Sequence, residues 1–319
     1  MPPFLQFGPI YQERVWGGRA LEAFLGRKLP GTTPIGESWE LVDRPEAQSV
    51  ATSGPWAGKT LRELMAAHSA EIMGPGWPKD RPFPILVKWL DCRDRLSVQV
   101  HPPARIAQKL GGEPKTENWY FAQTDAGAAV YAGLKPGVTR EGFERAISAG
   151  TVDQCLVRLA VRAGESLLIH SGTMHAIDAG NVILEIQQNS DTTYRVYDWG
   201  RLGLDGKPRA LHVRESLECL SANTAQPPQL VRGAGVLAQC AEFAIRRVDL
   251  RAGDRLAFAA KEQPRILSVV DGELESGRTL RRGDNLLLPF AGEYSFTART
   301  PASVLVSEGF VTHEKAPRQ

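Results

Sequence analysis

Cysteine is scarce and dispersed. Cys92, Cys155, Cys219 and Cys240 stand far apart, with no CxxC pair among them. That spacing excludes a zinc knuckle and offers no disulfide framework, so the four read as reduced core thiols of a cytoplasmic protein. Long apolar runs are also lacking. The strongest, PILVKWL at 84–90, is cut by a lysine and is too short to span a bilayer as a helix. The opening residues, MPPFLQFGPIYQER, lack a basic segment followed by an apolar core, so no signal peptide is expected there. An excess of one charge is missing too. The 38 Lys and Arg nearly balance 36 Asp and Glu, for a formal net charge of +2. Neither nucleic acid nor a membrane is therefore expected as partner, although a local basic pocket for a phosphate fits this balance.

What is abundant is punctuation. The 31 glycines and 22 prolines separate short apolar runs such as LSVQV, LVRLAV, SLLIH, VILEIQQ, NLLLPF and VLVSEGF. Short strands between turn residues are the pattern of an all-β sandwich or barrel. Helical periodicity interrupts it over 58–74, over 139–150, where Thr139 is the expected N-cap and Gly150 the stop, and over 212–222. A chain of 319 residues is long enough for two domains. The Pro- and Gly-rich segment TAQPPQLVRGAG at 224–235 marks the expected boundary, giving domains of 1–230 and 231–319. A weak internal repeat supports the pair: RAGESLLI at 162–169 and RRGDNLLL at 281–288 both read as a turn entering a buried strand. In that register His175 falls opposite Tyr294, so the first copy keeps a histidine that the second lacks.

Six histidines can be weighed one by one. His68 sits among the apolar positions of a helix, His313 in a terminal tail and His212 at a helix start. His101 and His175 differ, because each adjoins an apolar strand and a Pro or Gly. In LSVQVHP (96–102), alternation puts Leu96, Val98 and Val100 on one side and Ser97, Gln99 and His101 on the other. Around His175, GESLLIHSGTMH resembles the G-x5-P-x-G-x2-H motif of the cupin barrel, with His170 in place of Pro. His170 lies an odd number of residues from His175, and on a strand that is the other face. KTENWY (115–120) adds Glu117. Gln99, His101, Glu117 and His175 would form a mixed N/O site suited to zinc, and also to manganese or iron. The same residues could instead satisfy separate loop hydrogen bonds. In ILEIQQNSDTTYRVYDWGR (183–201), Glu185 and Gln187 share a strand face, where an inward carboxylate is costly without a partner. Taken alone, Asp191, Arg195 and Asp198 read as loop salt bridges.

Together these motifs resemble the type I phosphomannose isomerases in their shorter bacterial form. The segments are RVWGG (14–18), IGESWEL (35–41), PILVKWLDCRDRLSVQVHP (84–102), KTENWY, GESLLIHSGTMHAI (164–177), ILEIQQNSDTTYRVYDWGR and RALH (209–212). The resemblance implies two cupin-like (jelly-roll) β-barrels with helical insertions, only the first of them carrying a metal. It implies one zinc ion per chain held by Gln99, His101, Glu117 and His175. It implies interconversion of mannose 6-phosphate and fructose 6-phosphate by proton transfer between C1 and C2 through a cis-enediol(ate). It places Lys88, Lys115, Glu185, Asp191 and Arg195 around the sugar phosphate. Arg195 is the expected anchor of substrate and phosphate. Glu185, Lys115 and Asp191 are the candidate bases. Ser97 faces either substrate or the neighbouring strand. The rival readings are a non-catalytic sugar-phosphate-binding cupin and an isomerase of free mannose or another aldose.

Overall fold

The computed structural model describes residues 4–221 and 227–311, and the backbone is mainly β. His313 and residues 224–226 of the expected boundary lie outside the described residues. No helix among the described residues is long and apolar enough to cross a membrane. The chain forms two compact units. One comprises Tyr11–Ser38 and Lys88–Val231; the other comprises Met1–Ile10, Trp39–Val87 and Arg232–Gln319.

Two sheets build the first of these units. One runs in the order Leu156–Ala160, Ala129–Leu134, His175–Ile177, Val98–Val100, Tyr194–Tyr197. The other includes Glu165–Ile169, Glu117–Thr124 and Asn181–Gln188 as consecutive neighbours, paired antiparallel. Both sheets contribute to one apolar cluster, with Val130, Ala132 and Ile177 from the first and Trp119, Phe121, Leu167, Ile169 and Ile183 from the second. The opposite face of the five-stranded sheet is covered by helices. Val98, Val100, Ala176 and Val196 pack with Phe143 of helix Arg140–Ala149 and with Leu217 and Cys219 of helix Val213–Ser221. Burying a side chain the size of Phe143 contributes roughly 1.5–3 kcal/mol. The alternation predicted in LSVQVHP is thus satisfied on both sides, with one exception. Leu96 belongs to the cluster between the sheets and not with Val98 and Val100. The regular strand begins only at Val98, so period-two counting does not reach back to residue 96.

Thr139 caps its helix as expected, accepting a 3.1 Å hydrogen bond from the Gly142 amide, and Gly150 ends it at φ 70°. Two further helices, Ala20–Leu25 and Ala104–Ala107, carry no side-chain cap and were not anticipated by periodicity.

The other unit has the same construction. A six-stranded sheet includes Asn285–Leu288, Arg265–Asp271 and Ala302–Glu308 as neighbours, and a four-stranded sheet includes Arg255–Phe258 beside Tyr294–Ala298. Leu267, Val269, Leu286 and Val304 from one meet Phe258, Leu274 and Phe296 from the other. Helix Leu61–Ile72 belongs to this unit and opens with a capping box between Thr60 and Glu63, worth about 1 kcal/mol. Its last carbonyls, Glu71 and Ile72, accept from the Ala291 and Phe290 amides at 2.9 and 2.8 Å. His68 interrupts that helix at φ −130° and turns to Glu71, 3.0 Å away, so it is partly exposed and not a core residue.

The internal repeat is a repeat of local structure. At the first copy the Arg162 amide donates to Glu165 Oε2 at 2.6 Å; at the second the Arg281 amide donates to Asp284 Oδ2 at 2.7 Å. Gly164 and Gly283 both take positive φ, 86° and 95°. Basic residue, glycine and acid are therefore the parts of one turn, closed by the carboxylate, and each turn feeds a buried strand.

Candidate active site

Register places the first group of residues. Gln99 pairs with His175 on one side and with Arg195 on the other, so the three side chains occupy one row of the five-stranded sheet. The glycine of the cupin-like turn has a definite task. Gly172, at φ 88°, donates its amide to the His101 carbonyl at 2.7 Å, which ties the turn before His175 to the end of the strand carrying Gln99. Glu117 begins its own strand in the facing sheet, and the approach to it is fixed by the Thr116 amide donating to Gln188 Oε1 at 2.7 Å.

These constraints bring His101, Glu117 and His175 together. Their ligand atoms lie within 4.8 Å of one another, and each residue is 1% exposed. His101 Nε2 is 3.2 Å from Glu117 Oε2, and His175 Nε2 is 3.3 Å from Glu117 Oε1. Each ring donates its Nδ1 proton to a backbone carbonyl at 2.8 Å, His101 to Thr192 and His175 to Thr173. Burial lowers the affinity of both imidazoles for a second proton, and His175 is brought down to about 3. Both rings are therefore neutral, with a lone pair on Nε2. That lone pair faces a carboxylate oxygen, and neither atom has a proton to share. His101 Nε2 and both Glu117 oxygens accordingly lack a well-formed hydrogen bond, although Lys115 reaches Oε2 as an ion pair at 2.8 Å. Buried acceptors facing one another call for a cation between them. Burial pushes the Glu117 carboxyl up, but the buried Lys115 ammonium leads the opposing causes, and the carboxyl is held well below the usual range. The Gln99 amide lies beside the cluster, Nε2 3.3 Å from His175 Nε2. His170 is not part of it.

A cavity of about 560 Å³ adjoins this cluster and is lined by Lys88, Ser97, Gln99, Lys115, Glu185, Asp191 and Arg195. Glu185 stands between two ammonium groups. Lys88 and Lys115 are each 3.8 Å from Oε1, while Trp119 Nε1 donates to Oε2 at 3.1 Å. Burial dominates nonetheless, with Glu117 adding to it, and the Glu185 carboxyl is pushed up to about 7. Lys115 is the converse. Burial opposes its charge, but Glu117 and Glu185 raise its pKa above the ordinary value. Asp191 is exposed, 3.5 Å from Lys88. Ser97 lines this cavity, and its hydroxyl donates to Gln99 Oε1 at 3.2 Å.

With this geometry the sequence can be set against known proteins. The family model for the catalytic domain of type I phosphomannose isomerase matches residues 4–129. A mannose-6-phosphate isomerase of Streptococcus mutans is 37% identical over 303 residues, 90% of this chain and 92% of that protein. The chain belongs to the type I phosphomannose isomerase family. The crystal structure of a member of this family, the mannose 6-phosphate isomerase of Bacillus subtilis, superposes with a TM-score of 0.83 at 30% identity, covering 96% of this chain and 99% of that one. A mannose 6-phosphate isomerase bound with zinc and yttrium shares the fold, with a TM-score of 0.73 at 15% identity and coverage of 97% and 100%. The His–Glu–His cluster found here fits such an ion by its own donor chemistry: two neutral imidazoles and a carboxylate suit zinc, and no thiolate is near enough to compete.

Several residues of this family member escaped the sequence reading. Trp119 is not among the expected site residues, yet it touches Glu185 and packs edge-on against His175, ring centres 5.4 Å apart. The signal was available, because Trp119 follows Glu117 at the strand period. Glu37 lines the cavity 3.8 Å from Lys88 and is held by Arg14, Nε to Oε1 at 3.0 Å. Asp198 makes the loop salt bridges expected of it, but they are buried: it is 6% exposed and binds Arg201 and the cavity-lining Arg209.

Proposed function

We propose that this chain is a zinc-dependent aldose–ketose isomerase that interconverts mannose 6-phosphate and fructose 6-phosphate through a cis-enediolate. The observation that carries the reading is one buried carboxylate, Glu185, held between two lysines at the wall of a cavity beside a His–Glu–His cluster. In this reading Gln99, His101, Glu117 and His175 hold one zinc ion, which supplies positive charge to the sugar oxygens when bound. Glu185 removes the proton from C2, and the C–H electron pair becomes the C1–C2 double bond as the C1 oxygen takes up a proton. Returning the proton to C1 while the C2 hydroxyl loses its own yields the ketose. A carboxyl near 7 suits both halves of this shuttle, since it gives and takes a proton with similar ease. Lys115 and Lys88 stabilise the enediolate charge, and the exposed Asp191 steers Lys88.

Arg195 anchors the phosphate. It makes no ion pair among the described residues, its Nε is buried without a hydrogen-bond partner, and it lines the cavity. Arg209, Arg201 and Arg14 act on it against the single carboxylate of Asp198, a balance that favours an anion beside it. The catalytic work falls to the unit of Tyr11–Ser38 and Lys88–Val231, which holds every one of these residues, and the second barrel, with Tyr294 in the place of His175, carries no metal. The free, dispersed cysteines suit a cytoplasmic setting.

The test is conversion of mannose 6-phosphate by metallated protein in deuterium oxide. Fructose 6-phosphate carrying solvent deuterium at C1 in a measurable fraction is expected. Absence of turnover overturns the reading, and turnover with no deuterium at all points to hydride transfer instead.

A further inference from the structure

Ala210 and His212 of the segment RALH, 209–212, have no part in the reaction just described, yet they are wrapped around Arg195. The Arg195 amide donates to His212 Nδ1 at 3.3 Å, and the His212 amide donates to the Arg195 carbonyl at 2.7 Å. The Arg195 guanidinium in turn donates, through Nη1, to the Ala210 carbonyl at 3.0 Å. Backbone and side chain of one arginine are thus held by two residues that are themselves two apart in sequence.

The histidine's own state follows from these bonds. Its Nδ1 accepts from a backbone amide, so the ring proton sits on Nε2. The ring lies 5.9 Å from that of Tyr194, and its carbonyl accepts from the Ser216 amide and hydroxyl at 2.9 and 2.8 Å in the first turn of helix Val213–Ser221. His212 is therefore fixed on one side by a helix and on the other by the strand carrying Arg195. Both residues line the cavity. One guanidinium nitrogen is committed to Ala210 and another, Nε, has no hydrogen-bond partner, which leaves the group oriented but not neutralised.

We propose that His212 is a positioning residue for substrate affinity: by accepting from the Arg195 amide it fixes the stretch of backbone from which the guanidinium, turned by the Ala210 carbonyl, reaches into the cavity, and so tunes recognition of a phosphate monoester. The inference rests on the reading of Arg195 as phosphate anchor. An asparagine at 212 can imitate the contact, because its Oδ1 stands where the imidazole Nδ1 does, whereas alanine cannot.

The experiment compares His212→Ala, His212→Asn, Arg195→Ala and the double variant His212→Ala/Arg195→Ala in the zinc-loaded protein. It reads kcat and KM for mannose 6-phosphate, inhibition by inorganic phosphate, zinc content and thermal midpoint. His212→Ala should raise KM and weaken phosphate inhibition about tenfold, the size of one good hydrogen bond, with kcat held within about twofold. Zinc content and thermal midpoint should stay at the parent values. His212→Asn should recover most of the loss, and the double variant should be no worse than Arg195→Ala. Unchanged KM in His212→Ala overturns the proposal. So does a loss in which kcat, zinc content and thermal midpoint fall together, for that marks a merely structural histidine. If Arg195→Ala leaves phosphate inhibition untouched, the anchor reading fails and the inference falls with it. If Arg195→Ala is phosphate-selective while His212→Ala is silent, only the inference fails.

Discussion

Ser97 holds Gln99. The hydroxyl donates to the Gln99 amide oxygen across 3.2 Å, and the other end of that amide lies 3.3 Å from the Nε2 of His175. A residue just outside the strand Val98–Val100, two places before Gln99, therefore orients one of the four proposed zinc ligands. Ser97→Ala should weaken zinc binding roughly ten- to hundredfold, the usual cost of removing such a supporting hydrogen bond. Titration against a competing chelator reads this directly, and equal affinities in parent and variant would remove Ser97 from the metal's surroundings.

The metal-free protein should be sensitive to acid. His175 has an ordinary value of 6.5 and is brought down to about 3, chiefly by burial, with Glu117 opposing and His101 assisting. His101 moves in the same direction, and Glu117 is held well below its usual range. Each of these depressed values means that the unfolded chain binds the proton more readily. The imidazole contribution is thus present above about 6.5 and is lost as the pH falls toward 3. The thermal midpoint of chelated protein should fall across that window, and His175→Gln should flatten the slope. An identical slope in the variant would show that His175 does not titrate with unfolding.

Glu185 works with the opposite sign. Its folded value is raised from 4.5 to about 7, so its contribution to stability is present below 4.5 and is lost as the pH rises through 7. As the proposed base it must be ionised, so kcat should rise with pH across a limb at or below 7, displaced downward by a bound divalent cation. Glu185→Gln should lower kcat by about a hundredfold or more and abolish that limb. Trp119→Phe removes the indole proton from Oε2 and should move the limb upward. A limb unmoved in Trp119→Phe and retained in Glu185→Gln would assign the proton shuttle elsewhere.

The repeated turn offers a stability test remote from chemistry. Gly283 holds φ 95°, a conformation that costs an L side chain about 1–2 kcal/mol. Gly283→Ala should lower the denaturant midpoint by a corresponding amount with no change in slope. An unaltered midpoint would mean that the turn tolerates a side chain and that its glycine is incidental.

Much of the site was legible because strands obey a period of two. Gln99 and His101 could be assigned to one side from LSVQVHP. The same period puts Trp119 on the face of Glu117, but an aromatic side chain at such a position serves packing as readily as chemistry. Other features leave no local trace. Arg14 meets Glu37 across 23 residues, and helix Leu61–Ile72 is grouped with residues 232–319 by carbonyls that accept from amides at 290 and 291. The short helices at Ala20–Leu25 and Ala104–Ala107 lack capping side chains and are too brief to show a period. Ser97 lines the cavity and also donates to Gln99, a pairing that alternation alone does not indicate.

The central claim is that His101, Glu117 and His175, aided by Gln99, hold a zinc ion that the isomerisation requires. It is tested by measuring fructose 6-phosphate formation from mannose 6-phosphate by the parent and by His175→Ala, each stripped with a chelator and then titrated with zinc. The parent should lose activity on stripping and regain it near one equivalent of zinc per chain, while His175→Ala should neither retain the ion nor recover. Full activity in the stripped parent, or normal zinc binding by the variant, would contradict the account.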